Sequence, residues 1–190
     1  MGNVVWKTIQ CKGNVPPNRA FHGCTLINEY EMFILGGCDN SKDLLDAYVL
    51  NLSRNICVSI GTNKWKKLCQ IESNFHFPLV GFGIVTLPQH NRFLAEQILV
   101  FGGWEGKSYS NKTMLIDRGS ILYLYIGLTE LRTGSGSFQK TSPSPRRDMT
   151  FTYSPYDNKV YLYGGWNPLS WIYHEAFSNE LWTLDSRNFT

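Results

Sequence analysis

The chain has 190 residues, of which 43% are hydrophobic, 17% charged and 14% aromatic, with 17 Gly and 8 Pro. That length supports one domain with a core, and the composition excludes a disordered tail and disfavours a helical bundle. A net charge of +3, with no basic run longer than Lys66-Lys67 or Arg146-Arg147, argues against nucleic acid as a partner.

The longest apolar stretch, residues 121–128, is shorter than the roughly 18 residues a membrane helix requires, so no membrane partner is expected. The N-terminus lacks the basic and apolar regions of a secretory signal. Five cysteines (Cys11, Cys24, Cys38, Cys57 and Cys69) contain no C-x-x-C pair. They fit free thiols in the cytoplasm, or the nucleus, better than a disulfide frame or a zinc site.

In chain order, Trp6-Lys7-Thr8-Ile9 comes first and is echoed later by Trp65-Lys66-Lys67-Leu68. Pro17-Asn18-Arg19-Ala20-Phe21-His22 then leads into a strand over 23–27. The alternating run Met32-Phe33-Ile34-Leu35 ends in Gly36-Gly37, and Asp46-Ala47-Tyr48-Val49-Leu50 follows. A second apolar run, 98–101, ends in Gly102-Gly103, with Gly81-Phe82-Gly83 before it and a further strand expected over 120–124. A third, 160–163, ends in Gly164-Gly165, between Pro145-Arg146-Arg147-Asp148-Met149-Thr150 and Glu180-Leu181-Trp182-Thr183-Leu184. These runs are rich in β-branched and aromatic residues and too short for helices, so each reads as a buried strand before an abrupt turn. Four strands per unit, repeated, predict an all-β protein built from β-propeller blades.

The order Pro-x-Arg-x-x-(His), apolar-Gly-Gly, acidic-x-aromatic-x-Leu and then Trp resembles the kelch repeat, and the resemblance covers nearly the whole chain. It implies a kelch-type β-propeller of about three four-stranded antiparallel blades in an incomplete ring. Residues 1–13 would form a closing strand for the last blade, 14–70 blade one, 71–134 blade two and 135–190 an incomplete blade three. In blade two Leu131 would stand in for the closing Trp, and residues 134–137 would be a flexible connection. Three blades cannot close a ring, which takes about four to eight. Further blades of the same chain, or a second copy, are therefore the expected complement.

Candidate chemistry is sparse. The four histidines are scattered, and no helix is expected after Gly81-Phe82-Gly83, so no dinucleotide loop is inferred. No cofactor, metal site or catalytic residue is expected. The competing reading, part of a kelch-like metal-dependent oxidase, would draw on Tyr173 and His174.

Trp6, Trp65 and Trp182 fall on repeat strands and should pack between blades. Trp104, Trp166 and Trp171 follow the Gly pairs in loops, and large rings beside Arg dominate binding hot spots. Antiparallel alternation places the loops after strand two and before strand one on one face. That face gathers Arg19, Asp39, Asn40, Trp104, Glu105, Tyr109, Arg146, Arg147, Trp166, Asn167, Trp171, Tyr173 and His174 as candidate partner-binding residues. Arg19 and Arg147 occupy matching repeat positions and are expected to bond their own blade, leaving Arg146 as the freer candidate. The resemblance implies a scaffold or adaptor, such as a ubiquitin-ligase substrate receptor, that holds a protein or peptide on this face.

Overall fold

The computed structural model describes residues 4–52, 63–70, 79–89, 96–117, 128–130, 142–168, 176–187 and 189. Every regular element among them is a strand, and the strands form three sheets. The first holds β1 (Lys12–Gly13), β2 (Gly23–Asn28), β3 (Glu31–Leu35), β4 (Asp46–Asn51) and β5 (Lys64–Gln70), in the order β1-β5-β4-β3-β2. The second runs β6 (Gly83–Leu87), β7 (Gln97–Phe101), β8 (Thr113–Asp117) and β9 (Leu128–Glu130); the third runs β10 (Thr150–Ser154), β11 (Lys159–Tyr163) and β12 (Leu181–Asp185). All pairings are antiparallel except that of β1 with β5.

The alternating runs explain how the sheets stack. Phe33 and Leu35 point to one face of the first sheet, with Ala47 and Val49 opposite them on β4. They pack against Phe82, Ile98, Val100, Met114 and Ile116 of the second sheet. The other face of that sheet, with Leu87, Leu99 and Leu115, packs on Val160, Phe151, Tyr153 and Leu184 of the third. The second sheet is thus apolar on both faces, which is why β7 reads Gln-Ile-Leu-Val-Phe and is buried throughout.

The double glycines have a conformational cause. In each pair both residues adopt positive φ: 60° and 88° at Gly36-Gly37, 70° and 102° at Gly102-Gly103, 74° and 103° at Gly164-Gly165. Two successive left-handed residues turn the chain sharply off the strand, and only glycine enters that region without penalty. The first N–H of each pair then bonds to a carbonyl at the entrance to the next strand: Gly36 to Asp46 O, Gly102 to Lys112 O and Gly164 to Glu180 O, the last two being the residues just before β8 and β12.

Two expectations are corrected. The third strand of the second unit is β8, which precedes the run 120–124 where that strand was expected, and it pairs in register with β7 from Gln97↔Asp117 to Phe101↔Thr113. Residues 120–124 and Leu131 lie outside the described residues, as does the 134–137 connection, and β9 occupies the fourth position. The second correction concerns Trp6, which lies in no strand and is 95% exposed. The N-terminal segment reaches a sheet only at β1, on the first sheet's own β5 rather than on the third. Gly13 makes that docking possible, because a Cβ there would lie 2.3 Å from Trp65 O. Trp65 is buried with Ile34, Tyr48 and Leu50, and Trp182 is half-buried on β12.

Cys11, Cys24 and Cys38 are free thiols, while Cys57 lies outside the described residues. No helix among the described residues is long and apolar enough to cross a membrane.

Candidate functional site

Arg19 and Arg146 are the two arginines that the fold consumes. Arg19 donates from Nη1 to Gly36 O and to Asp46 Oδ1, both at 2.8 Å, and lies over the Tyr48 ring at 5.1 Å. Arg146 donates to Gly164 O at 2.9 Å, to Ser178 Oγ at 2.8 Å and to Glu180 Oε2 at 2.6 Å. It also reaches Ser144 O and Ser144 Oγ, and it is 1% exposed. Each arginine ties the first glycine of its own pair to the acid that opens the third strand. Tyr48 donates to Asp46 and Trp182 to Glu180, so the acidic-x-aromatic motif is a clamp, buried at Asp46 and partly exposed at Glu180. Burial and the Asp46 carboxylate raise the Tyr48 phenol above its ordinary pKa.

The backbone fixes the equivalence. Ala20 bridges Cys38, Val80 bridges Trp104 and Arg147 bridges Trp166, each partner being the residue after a Gly pair. Arg146 therefore corresponds to Arg19, and Arg147 to Ala20. This reverses the sequence expectation: Arg146 is structural, and Arg147 is the arginine presented at the surface. In the second unit the position falls to Leu79, the acid is replaced by Lys112, and Lys112 pairs instead with Glu105 at 3.0 Å.

Arg147 stands among rings from three loops. Its guanidinium carbon is 4.6 Å from the Trp166 ring centroid, 5.6 Å from Phe21 and 6.0 Å from Tyr109. Tyr109 contacts Trp104 at 4.8 Å and Trp166 edge-on at 5.7 Å. Isolated bridges from Trp104 to Tyr109 and from Trp166 to Phe177 brace the two tryptophan loops. The side chain of Arg147 is 24% exposed, and Nε lies 3.2 Å from Asp148 Oδ2 without the alignment of a hydrogen bond. Beside it opens a shallow depression of about 490 Å³, lined by Arg147, Asp148, Trp166 and Phe177 among others.

No family model matches the chain, and no curated protein matches it.

Of the residues expected on this face, the structure brings Trp104, Tyr109, Arg147 and Trp166 together. Asp39 and Asn40 remain in the loop after β3. The Asp39 carboxylate accepts from Ser41 and Lys42 there, and those bonds hold it below its ordinary pKa. Glu105 is taken by Lys112, and Asn167 donates to Pro145 O at 2.8 Å. Trp171, Tyr173 and His174 lie outside the described residues. Three participants went unread in the sequence: Phe21, Asp148 and Phe177. Phe21 and Asp148 share one repeat position and both have positive φ, at 54° and 56°. A bulky residue held in that region is uncommon and marks a constrained site. Among the described residues no group of three or more His, Cys, Asp or Glu side chains could hold a metal ion.

Proposed function

We propose that this chain is a kelch-type repeat module, part of a β-propeller, that binds a protein or peptide on the loop face around Arg147 and catalyses nothing itself. One observation carries the reading: the partly exposed Arg147 lies among three aromatic rings and, apart from its ion pair with Asp148, makes no side-chain hydrogen bond among the described residues. Arg19 and Arg146 show what the fold requires of an arginine here, and Arg147 does none of it.

The arrangement suits a ligand carboxylate flanked by an apolar group. A guanidinium offers five N–H donors in a planar fork and can take a carboxylate with two parallel bonds. Its position over the Trp166 and Phe21 rings restrains the side chain in advance, so little freedom is lost on binding. The exposed edges of Phe21 and Phe177 offer apolar surface for the neighbouring residue. The resemblance to kelch repeats, whose loop faces receive peptide ligands, supports the same assignment.

Panning a displayed random-peptide library against the chain tests it. Selected peptides should carry Asp, Glu or a free C-terminus and lose about 30-fold in affinity against Arg147→Ala, as expected for an Arg hot spot. Lys159→Ala, on β11, should leave affinity unchanged. Peptides that bind Arg147→Ala as tightly as the parent chain would refute the site.

A further inference from the structure

Both junctions between neighbouring sheets are closed by the same two backbone hydrogen bonds. Gly37 N–H donates to Leu79 O at the first junction, and Gly103 N–H donates to Arg146 O at the second. Gly81 N–H donates to Phe21 O, and Asp148 N–H donates to Gly81 O. By the same relation the third sheet presents Gly165 N–H and Asp148 C=O outward, and the first presents Arg19 C=O and Phe21 N–H. None of these four groups is hydrogen-bonded among the described residues. What is left over at one end is the complement of what is left over at the other.

Side-chain sizes match as well. Gly23 makes room for Phe82 and Ile84 of the second sheet, and Gly83 for Phe151 of the third; a Cβ at these glycines would lie 2.3 Å and 2.7 Å from the nearest ring or side-chain atom. The corresponding residue of the third sheet is Thr150, which is exposed and carries the Cβ that those glycines lack. The first sheet would bring Cys24 there, a smaller side chain than Ile84 or Phe151 at the same repeat position. Around Thr150 the outer face carries Tyr163 at 53% and Leu181 at 64% exposure, where the first sheet buries Leu35 and Ala47 completely.

Strand count gives a third indication. The third sheet has three strands, and β12 has no partner on its far side among the described residues. Residues 4–9, Val-Val-Trp-Lys-Thr-Ile, are exposed and belong to no strand. Their Trp-Lys-Thr-Ile matches Trp65-Lys66-Lys67-Leu68 of β5, the fourth strand of the first sheet. An exposed edge and an exposed β-prone segment are the two halves of strand addition.

We propose that a second copy of this chain docks head to tail on the third sheet, its first sheet covering the face of Thr150, Tyr163 and Leu181 and its residues 4–9 pairing beside β12. The proposal rests on the repeat-propeller reading: two copies supply six sheets, and the same junction formed twice closes the ring. Following the β4–β5 register, Trp6 falls opposite Leu184 and Lys7 opposite Thr183.

Light scattering on the full chain should give about twice 21.8 kDa at micromolar concentration. Leu181→Arg and Trp6→Asp, both at exposed positions, should each raise the dissociation constant about tenfold or more while leaving the far-ultraviolet circular dichroism unchanged. Lys7→Cys combined with Thr183→Cys should give an intermolecular disulfide, and Lys7→Cys combined with Tyr156→Cys should not. A monomer at these concentrations, a dimer indifferent to both Leu181→Arg and Trp6→Asp, or equal cross-linking of the two cysteine pairs overturns the proposal. Peptide binding by monomeric Leu181→Arg separates the two readings, because the Arg147 face lies within one copy.

Discussion

Two adjacent arginines divide the labour of this chain, and substitution separates their roles. Asp46 is buried, with Arg19 as its nearest cation and the Tyr48 hydroxyl and Lys67 Nζ at 3.9 Å as its other partners, so Arg19→Ala should cost about 3 kcal/mol by breaking a buried ion pair. Arg146→Ala, which leaves the Gly164 carbonyl without its donor and removes the cation from the partly exposed Glu180, should cost about 2–3 kcal/mol. Arg147→Ala, which loses ring contacts but no hydrogen bond to the backbone, should cost least, about 1 kcal/mol. Chemical denaturation of the three variants checks the order. Motif spacing placed Arg147, not Arg146, beside Arg19, because counting from Pro17 and Pro145 suggests a match that the backbone does not keep. Asn18, not Pro17, is the residue equivalent to Pro145, and only the bridges to Cys38 and Trp166 reveal that one-residue offset. His22 supplies a pH prediction at the same scale. Burial, and secondarily the Arg19 guanidinium, hold its imidazole below the usual 6.5. The neutral form is favoured in the folded chain, so this contribution to stability is full above pH 6.5 and is lost as pH falls through the lowered value. Denaturation midpoints should drop on acidification below that pH, and His22→Gln should flatten the drop.

At the scale of elements, the junctions between sheets are set by where side chains are missing. A Cβ at Gly23 would lie 2.3 Å from Phe82 and one at Gly83 2.7 Å from Phe151, so neither position tolerates even a methyl group without displacing a ring. Gly23→Ala and Gly83→Ala should each destabilise by about 1–3 kcal/mol, measured by thermal or denaturant unfolding. Strands next to the Gly pairs were legible because their alternation ends in a turn that only glycine can make. β8 was not legible: Thr-Met-Leu-Ile-Asp is short and flanked by polar residues, and the longer apolar run after it drew the assignment. What identifies β8 is pairing with β7, a contact that local pattern does not encode. Within one chain Trp6 lies in no strand, since its resemblance to Trp65 describes a capacity to pair and not the partner.

For the whole molecule, three sheets stacked face to face bring four loop segments to one place. Phe21 comes from the segment before β2, Trp104 and Tyr109 from the loop after β7, Arg147 from the segment before β10 and Trp166 from the loop after β11. No single unit contains the site, which is why the sequence supplied its loop members and missed Phe21, whose role depends on a neighbour more than a hundred residues away. A ligand selected against this chain should therefore contact the tryptophans after the Gly pairs and not those on the strands. The chain has 6 tryptophans, each with an indole N–H that gives its own proton–nitrogen NMR signal. Titration with a selected peptide should move the signals of Trp104 and Trp166, leave those of Trp65 and Trp182 in place, and have no effect on any of them in Arg147→Ala. Shifts confined to Trp65 or Trp182, or shifts of Trp104 and Trp166 that persist without Arg147, would contradict it.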